Sequence, residues 1–280
     1  MRRVPEGHTL HRLATALDEA FAGQPVRASS PQGRFAESAA LVDGLVLESA
    51  QAYGKHLFLV FGDGPALDVV HVHLGLYGRF DVHRDVTEVP DPVGQVRLRL
   101  TGAAAYADLR GATACELLTA AERDAVLARL GPDPLRPDAD PGVAWERVRR
   151  SRAPVAGLLM DQSVVAGIGN VYRAELLYRH RVDPFRPGRS LRARQWREMW
   201  DDLVALMQDG VRTGRIDTVR PEHLTDAELE HEGPRRGHSY VYRRAGEPCR
   251  VCHRRVRTQV LQARNLYWCA MCQRRYRGTA

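Results

Sequence analysis

The chain has 280 residues, of which 44% are hydrophobic and 27% are charged, and its formal net charge is +7. This length allows two domains with substantial cores, and the composition is ordinary for a globular protein. The sequence contains no run of about 18 apolar residues, which argues against a membrane span. The first residues lack a hydrophobic signal core, so we expect a cytoplasmic protein.

The charge is distributed unevenly along the chain. Residues 1–142 hold 14 Lys/Arg and 19 Asp/Glu, whereas residues 143–280 hold 27 and 15. A basic half of this size favours nucleic acid as a partner, although a solvated basic face would have the same composition. Of the 41 basic residues, only Lys55 is a lysine. Because an ammonium can lose its proton and a guanidinium does not, this position either needs an amine or keeps its lysine by chance.

The first half of the chain predicts one helix followed by strands. Residues 6–23 place four apolar side chains at helical spacing, which predicts a helix. Short alternating runs rich in Val, Leu and Phe follow between residues 41 and 111, broken by Gly, Pro and Asp. They predict antiparallel strands in a sandwich or a partly open barrel, with Lys55 directly after a glycine turn.

The second half predicts helices and a C-terminal ribbon. A helix near residues 190–213 has one apolar face, which predicts core packing, and residues 216–240 predict a loop. The apolar face consists of Trp196, Met199, Trp200, Leu203, Leu206 and Met207. We expect an N-terminal domain over 1–129, a proline-rich linker over 130–142, a helical domain over 143–240 and a ribbon over 241–280.

Four cysteines near the C-terminus predict a metal site. Cys249, Cys252, Cys269 and Cys272 form two C-x2-C pairs separated by 16 residues, which is typical of a zinc ribbon. Four thiolates leave no position for water, so we expect one structural zinc ion. Disulfides are the alternative, disfavoured in the cytoplasm. Cys115 stands alone, and we expect it to be buried.

The segment SVVAGIGN predicts a tight turn before a helix. Gly167 and Gly169 bracket Ile168, and glycine allows positive φ and close backbone approach. Asn170 is a good N-cap residue for the helix that follows. Exposed amides at a helix N-terminus bind phosphate, although an ordinary helix connection has the same pattern.

The Pro5-Glu6 pair admits two interpretations. Proline is favoured at the first helical position and glutamate in the first turn suits the helix dipole, so the pair can be an ordinary helix start. An N-terminal proline is instead a secondary amine, and an amine is a nucleophile. The rest of the chain has to decide between these two interpretations.

Three elements, taken in order, resemble the formamidopyrimidine-DNA glycosylase/endonuclease VIII family. They are the Pro5-Glu6 start, the segment MDQSVVAGIGNVYRAELLYRHRVDP and the four-cysteine ribbon. The blocks YGKHLF, HLGLYG, DLRG and LGPDPL match further family segments in the same order, and Gly7 is similar to the endonuclease VIII branch of actinobacterial type. The resemblance implies an α+β protein. Its N-terminal antiparallel β-sandwich is flanked by helices, and its C-terminal helix–two-turn–helix domain ends in a β-hairpin zinc ribbon.

The resemblance also implies a bifunctional DNA glycosylase/AP lyase of base excision repair, with oxidised pyrimidines favoured. Pro5 would attack the sugar C1′ and form an iminium ion that permits β- and then δ-elimination. Glu6 would act as general acid or base, and Lys55 would hold a phosphate or protonate a departing group. The ordinary pKa of an N-terminal amine, about 7.7–8.0, makes a neutral nucleophile available.

Further positions match DNA contacts of the family. Leu76 and Tyr77 match the loop that fills the void left by a flipped base, with packing beneath a turn as the alternative for Leu76. Asn170 and Arg264 match positions that contact phosphates, and we include Arg264 among the catalytic residues. Arg110 is assigned to DNA binding, with packing as the alternative. The expected partner is duplex DNA with oxidised bases or abasic sites, and we expect a monomer.

The start of the chain departs from the family pattern. The family nucleophile is residue two, exposed when the initiator methionine is removed, whereas Pro5 follows the residues MRRV. An internal proline has an amide nitrogen, which is not nucleophilic. We expect translation to start at Val4, because a GTG codon encodes valine and can also initiate. His8 and Thr9 stand where the family often has Pro and Glu, which bears on the substrate pocket.

Besides the glycosylase/lyase, which is the first possible function, the sequence leaves a second and a third open. If residues 1–4 are retained, Pro5 is internal and the chain is a non-catalytic damaged-DNA-binding protein. The third possibility is a zinc-ribbon nucleic-acid module unrelated to repair.

Overall fold

The computed structural model describes residues 5–62, 68–229 and 238–278. The chain forms two compact units, of which the first ends at Arg129 and the second begins at Leu130. The predicted α+β class is confirmed, because antiparallel sheets dominate the first unit and helices with a β-hairpin make up the second. Within the described residues, no helix is long and apolar enough to cross a membrane.

The first unit contains two four-stranded antiparallel sheets and three helices. In chain order its elements are α1 (Gly7–Phe21), β1 (Arg27–Ser29), α2 (Ala36–Val42), β2 (Leu47–Tyr53), β3 (His56–Phe61), β4 (Asp68–His73), β5 (Arg79–Arg84), β6 (Val96–Thr101), β7 (Ala105–Arg110), β8 (Ala114–Leu118) and α3 (Ala120–Leu127). The strand orders are β1-β6-β7-β5 and β2-β3-β4-β8.

Both sheets contribute one face to a common core. Leu57 and Leu59 of β3 and Leu98 and Leu100 of β6 are fully buried there. Side chains two residues apart lie on the same face of a strand, which is why these alternating runs form sheets. Helix α1 packs on the same core through its apolar face, as predicted. The buried apolar residues of α1 are Leu10, Leu13, Ala14, Leu17, Ala20 and Phe21.

The segment before β2 differs from the prediction. The sequence predicts a strand from Leu41, whereas the structure has α2 up to Val42 and β2 begins at Leu47. Ala39 and Val42 are buried three residues apart while Leu41 is exposed. This is the spacing of an amphipathic helix, and it outweighs the apolar run on which the strand prediction rested.

The second unit combines helices with a β-hairpin. Its elements are α4 (Pro141–Arg150), α5 (Val155–Leu158), α6 (Asn170–Arg179), α7 (Ala193–Thr213), α8 (Asp226–Leu229), β9 (Arg257–Leu261) and β10 (Arg264–Trp268). The helix predicted near 190–213 is confirmed as α7, which ends at Gly214 with φ +68°. Five of its six predicted core residues are buried, and Leu206 is partly buried against the same core.

The segment 130–142, expected as a linker, is packed within the second unit. The Gly131 N–H donates to the Gln162 carbonyl oxygen over 2.9 Å. A Cβ on Gly131 would lie 2.4 Å from the Val164 carbonyl oxygen, so this close approach of two backbones requires glycine. Asp133 is fully buried. The prolines therefore stiffen a packed segment rather than a loose connection.

Residues 216–240, expected as a loop, contain some regular structure. A 3-10 turn spans Pro221–His223, and the short helix α8 follows it. Residues 230–237 of this expected loop lie outside the described residues.

The cysteine ribbon and the helices share their cores. Leu266 of β10 is fully buried among residues of α4, α6 and α7. Cys249 and Cys269 pack with Ala174 and Tyr178 of α6. The ribbon therefore lies on the helices inside one compact unit and does not rely on a core of its own.

A buried carboxylate joins α6 to the segment that leads into the ribbon. Glu175 is fully buried. Its Oε1 accepts hydrogen bonds from the N–H groups of Val241 and Tyr242, over 2.9 and 2.8 Å. Its Oε2 accepts from the Tyr240 N–H over 2.7 Å and from the Thr218 hydroxyl over 2.5 Å. Four donors of this kind offset much of the cost of desolvating a carboxylate.

We predict that Glu175→Leu destabilises the second unit by about 3–5 kcal/mol, because three backbone N–H groups lose a charged acceptor inside the protein. Urea unfolding followed by tryptophan fluorescence measures this unit selectively. All four tryptophans belong to it: Trp145, Trp196, Trp200 and Trp268. Glu146→Leu on the exposed side of α4 is the matched control, and equal unfolding midpoints for the two variants would contradict the assignment.

Candidate active site

The chain enters α1 through Pro5 and Glu6. Glu6 is the N-cap, with φ −126° and ψ 178°, and the first helical residue is Gly7. The interpretation of the pair as an ordinary helix start does not hold, because Pro5 precedes the helix and the Glu6 side chain makes no capping hydrogen bond. Glu6 is fully buried and Pro5 is half-buried. Residues 1–4, on which the expected start at Val4 depends, lie outside the described residues.

Lys55 lies in the two-residue turn between β2 and β3. Tyr53 and His56 pair across the hairpin, and Gly54 takes φ +58° in the turn between them. A turn this short requires a positive φ, which glycine adopts without a steric penalty. The predicted position of Lys55, directly after a glycine turn, is confirmed.

Three histidines and a glutamate lie on one face of the sheet beside Lys55, and sequence reasoning missed them. His56 Nδ1 is 2.8 Å from His71 Nε2, and His71 Nδ1 is 2.8 Å from Glu116 Oε1. His73 is the cross-strand neighbour of His56, and their ring centroids are 5.1 Å apart. The H-x-H spacing in β4 signals one shared face, but the partners become visible only with the strand register.

Burial disfavours the charged forms of His56 and His73. Desolvation lowers the pKa of His56 to about 3, with further lowering by His71, His73, Arg129 and Lys55. Desolvation also lowers the pKa of His73, again with help from His71 and Lys55. The Lys55 ammonium is therefore close enough to both rings to disfavour a second positive charge.

Leu76 and Tyr77 project from a rigid turn between β4 and β5. Tyr77 is 72% exposed and Leu76 is 37% exposed, which argues against core packing for either side chain. The turn is tightly packed at its base, since a Cβ on Gly75 would lie 1.9 Å from Thr113 Oγ1. Gly75 also takes φ +66°. A tightly packed turn that exposes the apolar side chains of Leu76 and Tyr77 suits insertion of these side chains into a base stack.

Arg110 makes three hydrogen bonds within the first unit. Its guanidinium donates to Asp108 over 2.8 Å, to Asp81 over 3.4 Å and to the Val93 carbonyl oxygen over 3.1 Å. Arg99 makes a bidentate pair with the same Asp108, at 2.7 and 2.8 Å. Arg110 therefore has packing partners within its sheet, and its predicted DNA contact stays a prediction.

The glycine turn before α6 is held by one side chain. Gln162 Oε1 accepts from the Gly167 N–H over 3.0 Å, and Gln162 Nε2 donates to the carbonyl oxygens of Met160 and Ile168, each over 3.0 Å. Gly167 takes φ +91°. The predicted tight turn is confirmed, and Gln162 is a further residue that sequence reasoning missed.

Asn170 is the first residue of α6 and not its N-cap, so that expectation is wrong. The N-cap is Gly169, whose extended backbone makes the approach to the helix. The Asn170 amide bonds elsewhere: Nδ2 donates to the Asn265 carbonyl oxygen over 2.9 Å, and Oδ1 accepts from Arg173. Because an amide nitrogen carries two hydrogens, one remains for a further acceptor.

Arg264 begins β10, directly after the tip of the ribbon hairpin. The tip residues Gln262 and Ala263 take φ 51° and 57°, as a type I′ turn requires. Arg264 is exposed, and its neighbour Asn265 accepts the hydrogen bond from Asn170. The structure therefore bonds Asn170 to the residue that follows Arg264, within the second unit.

The four predicted metal ligands converge. Their Sγ atoms all lie within 4.8 Å of one another, with 3.8 Å between Cys249 and Cys272 and 3.4 Å between Cys252 and Cys269. A tetrahedral site with metal–sulfur bonds of about 2.3 Å needs sulfur separations near 3.8 Å, whereas a disulfide needs about 2.05 Å. The thiolate set therefore fits a closed tetrahedral metal site. Cys115 lies apart from it, and burial raises its pKa to about 12.

Comparison with known proteins identifies the family. The model of the formamidopyrimidine-DNA glycosylase N-terminal domain matches residues 4–115, and that of the formamidopyrimidine-DNA glycosylase H2TH domain matches residues 130–221. Endonuclease 8 1 of Mycobacterium tuberculosis is 56% identical over 272 residues, covering 96% of this chain and 100% of the relative. The chain belongs to the formamidopyrimidine-DNA glycosylase/endonuclease VIII family. Its members are DNA glycosylases and abasic-site lyases, so this chain is an enzyme of that class.

Other relatives span both branches of the family. Formamidopyrimidine-DNA glycosylase of Geobacillus kaustophilus is 31% identical, covering 98% of this chain and 100% of the relative, and Endonuclease 8 of Escherichia coli is 30% identical, covering 96% and 100%. The structure of Lactococcus lactis Fpg in complex with DNA containing an abasic site matches with a TM-score of 0.77 and 19% identity, covering 96% of this chain and 100% of that chain. At this identity, the structural match shows the shared glycosylase fold.

We predict that the chain binds one metal ion per molecule and that Cys249→Ser loses it, because three thiolates no longer close the shell. Elemental analysis of purified protein measures the metal content. Cys115→Ser is the matched control and should keep the full metal content. A Cys249→Ser variant with one tightly bound metal ion would refute the four-thiolate site.

Proposed function

We propose that this glycosylase removes oxidised bases, pyrimidines favoured, from duplex DNA and cleaves the strand by β- and δ-elimination through an imine on Pro5. The observation that carries the proposal is the helix start: Glu6 is fully buried, makes no capping bond and directly follows a proline outside the helix. A helix start has no use for a buried, non-capping carboxylate, whereas a nucleophilic amine with an adjacent general acid or base does.

The first chemical step would use the Pro5 nitrogen as nucleophile at the sugar C1′. The base leaves and an iminium ion forms, which acts as an electron sink for the eliminations. Glu6 would move protons at the sugar. The nucleophilic role of Pro5 requires a free amine on that residue. The match of the N-terminal family model begins at residue 4, which supports translation from Val4.

Three residues would hold the phosphates next to the lesion. Lys55 presents the ammonium of the only lysine in the sequence at a hairpin turn, where it can bind a phosphate or protonate a leaving group. Asn170 is at the start of α6 and bonds to the backbone of Asn265, the residue after Arg264, and a helix N-terminus favours an anion. We assign Arg264 to the support of phosphate charge during cleavage.

The remaining proposals concern the metal, the partner and the location. Four thiolates with closed tetrahedral geometry suit zinc, which would hold the ribbon hairpin and leave no site for water. The DNA-bound Fpg structures support duplex DNA with abasic or damaged sites as the partner. We propose a monomer that acts in the bacterial cytoplasm on nucleoid DNA.

We predict that Leu76→Ala and Tyr77→Ala slow base excision at least about tenfold but slow cleavage of a ready-made abasic site much less. An intact base must be unstacked and its void filled, at a cost of a few kcal/mol, whereas an abasic site needs less filling. Single-turnover assays on the two substrates measure the difference. Leu41→Ala, which truncates a leucine that is 64% exposed on α2, is the matched control. Equal slowing on both substrates would refute the void-filling role.

Borohydride trapping tests the nucleophile, because borohydride reduces the imine and fixes the protein to DNA. The possible amines are the N-terminal one and Lys55. We predict efficient trapping on Pro5 for protein that starts there, since an α-amine of pKa about 7.7–8.0 is partly neutral near pH 7 and an ordinary lysine is not. Lys55→Arg in the same protein should still trap while it cleaves more slowly.

The full-length chain, with residues 1–4 retained, is the control for trapping and should trap poorly. Equal trapping by the long and short forms, or a crosslink on Lys55, would refute the Pro5 mechanism. If neither form traps or cleaves while both bind damaged duplex, the alternative of a non-catalytic DNA-damage binder is correct.

A further inference from the structure

The side-chain amide of Asn170 is held at both of its ends. Arg173, one turn further along α6, donates from Nη2 to Asn170 Oδ1. Asn170 Nδ2 donates to the Asn265 carbonyl oxygen over 2.9 Å. Long side chains in a helix point back towards its N-terminus, so an arginine three residues after Asn170 reaches the amide directly. The amide is therefore the middle member of a hydrogen-bonded chain that runs from Arg173 to the ribbon hairpin.

These two partners permit one orientation of the amide. A guanidinium only donates hydrogen bonds, and a backbone carbonyl oxygen only accepts them. If the amide were rotated by half a turn, its oxygen would face the Asn265 carbonyl oxygen and its hydrogens would face the Arg173 guanidinium. Both hydrogen bonds would then be replaced by contacts between like groups. Arg173 and Asn265 together therefore fix Nδ2 of Asn170 as the donor on the side of the ribbon hairpin.

Arg173 acts from inside the protein. Its side chain is fully buried, as are those of Tyr172 and Ala174 beside it in α6. Close packing restricts a buried side chain to few rotamers, whereas an exposed arginine samples many. Full burial also separates the guanidinium from solvent, so a hydrogen bond from Arg173 reaches a DNA phosphate only through a neighbouring side chain.

The guanidinium makes Asn170 a stronger donor as well. A hydrogen bond accepted by the amide oxygen polarises the amide, and the N–H groups of the same amide then donate more strongly. One Nδ2 hydrogen is used by Asn265, and the second is available to a phosphate oxygen. The charge of Arg173 thus strengthens a phosphate contact that Arg173 does not itself make.

We propose that Arg173 is a positioning residue that fixes the Asn170 amide so that Nδ2 donates to a DNA phosphate. This inference rests on the proposed phosphate contact of Asn170. It gives Arg173 a role in DNA binding that acts entirely through one neighbouring amide. A buried arginine that only stabilised the fold would instead affect binding whether or not the Asn170 side chain is present.

The test measures binding of the full chain to a duplex that carries one tetrahydrofuran abasic analogue, because binding does not require a free amine on Pro5. Fluorescence anisotropy gives the dissociation constant over a range of salt concentrations. Arg173→Met removes the donor and keeps a long side chain, and we expect about tenfold weaker binding, as for the loss of one hydrogen bond to a charged group. Arg173→Lys keeps a charge and a donor, and we expect a smaller loss of about threefold.

Two comparisons separate positioning from a general structural effect. In an Asn170→Ala background neither substitution of Arg173 should weaken binding further, because the amide through which it acts is absent. The slope of log K against log salt should be unchanged in Arg173→Met, whereas loss of a direct phosphate contact by a cation would reduce it by about 0.9. Arg186→Met, at a half-buried arginine that bonds to Ser190 and Gln195, is the matched control and should bind within about twofold.

Urea unfolding followed by tryptophan fluorescence checks that each variant is folded. If Arg173→Met does not fold, Arg173→Lys carries the comparison. The loss of about threefold is then expected with the Asn170 side chain present, and no loss in Asn170→Ala.

Unchanged binding in the Arg173 variants, a reduced salt slope, or equal losses with and without the Asn170 side chain would overturn the positioning role while the phosphate contact of Asn170 stands. Unchanged binding in Asn170→Ala, or no binding by the unsubstituted chain, would overturn the proposed phosphate contact, and this inference with it. Neither result bears on the Pro5 nucleophile, since binding to this analogue involves no cleavage.

Discussion

The buried carboxylate of Glu175 is the interaction on which the second unit depends. It binds three successive backbone N–H groups, from Tyr240 to Tyr242, and so fixes α6 against the segment that leads into the ribbon. At the N-terminal end of the same helix, Asn170 donates a hydrogen bond to the carbonyl oxygen of Asn265 in the ribbon hairpin, the residue after Arg264. The relative position of the two proposed phosphate contacts thus follows from one helix that is bonded at its start to the hairpin and at its middle to the segment before the cysteines. The contact between α6 and the ribbon has a further hydrogen bond, because the Tyr178 hydroxyl lies 3.0 Å from Cys249 Sγ. Cys249 belongs to the cluster of four cysteines.

In the first unit the corresponding constraint is strand register. The two-residue turn at Gly54 and Lys55 aligns β2 with β3, and the register of β3 with β4 places His56 opposite His73 and Phe58 opposite His71. A shift of one residue would turn all three histidines towards the apolar core. Desolvation lowers the pKa values of His56 and His73 on this face, and the positive charge of Lys55 lowers them further. The rigid turn that carries Leu76 and Tyr77 continues directly from β4, so the same strand positions both features.

Local patterns predicted those elements whose signal is contained in a short window. The apolar periodicity of α1 and α7, the glycine turn before Lys55 and the C-x2-C spacing each depend on neighbours along the chain, and each is present in the structure. Patterns that depend on distant partners were less informative. The prolines of 130–142 indicated a linker, yet Gly131 packs on the backbone at Val164. Arg110 stays a predicted DNA contact, and only the structure shows that it also donates to Asp108, Asp81 and a carbonyl oxygen.

By itself, therefore, the sequence determined a strand-rich first half, a helical second half, the helices α1 and α7 and the cluster of four cysteines. These properties follow from composition, periodicity and spacing, which are local. Only the tertiary structure decided that Pro5 and Glu6 lie outside the helix, that Asn170 bonds to the hairpin instead of capping α6, and that Glu116, His71 and His56 form a hydrogen-bonded chain. A side chain with several possible partners selects among them by packing and burial, and those depend on residues far apart in the chain.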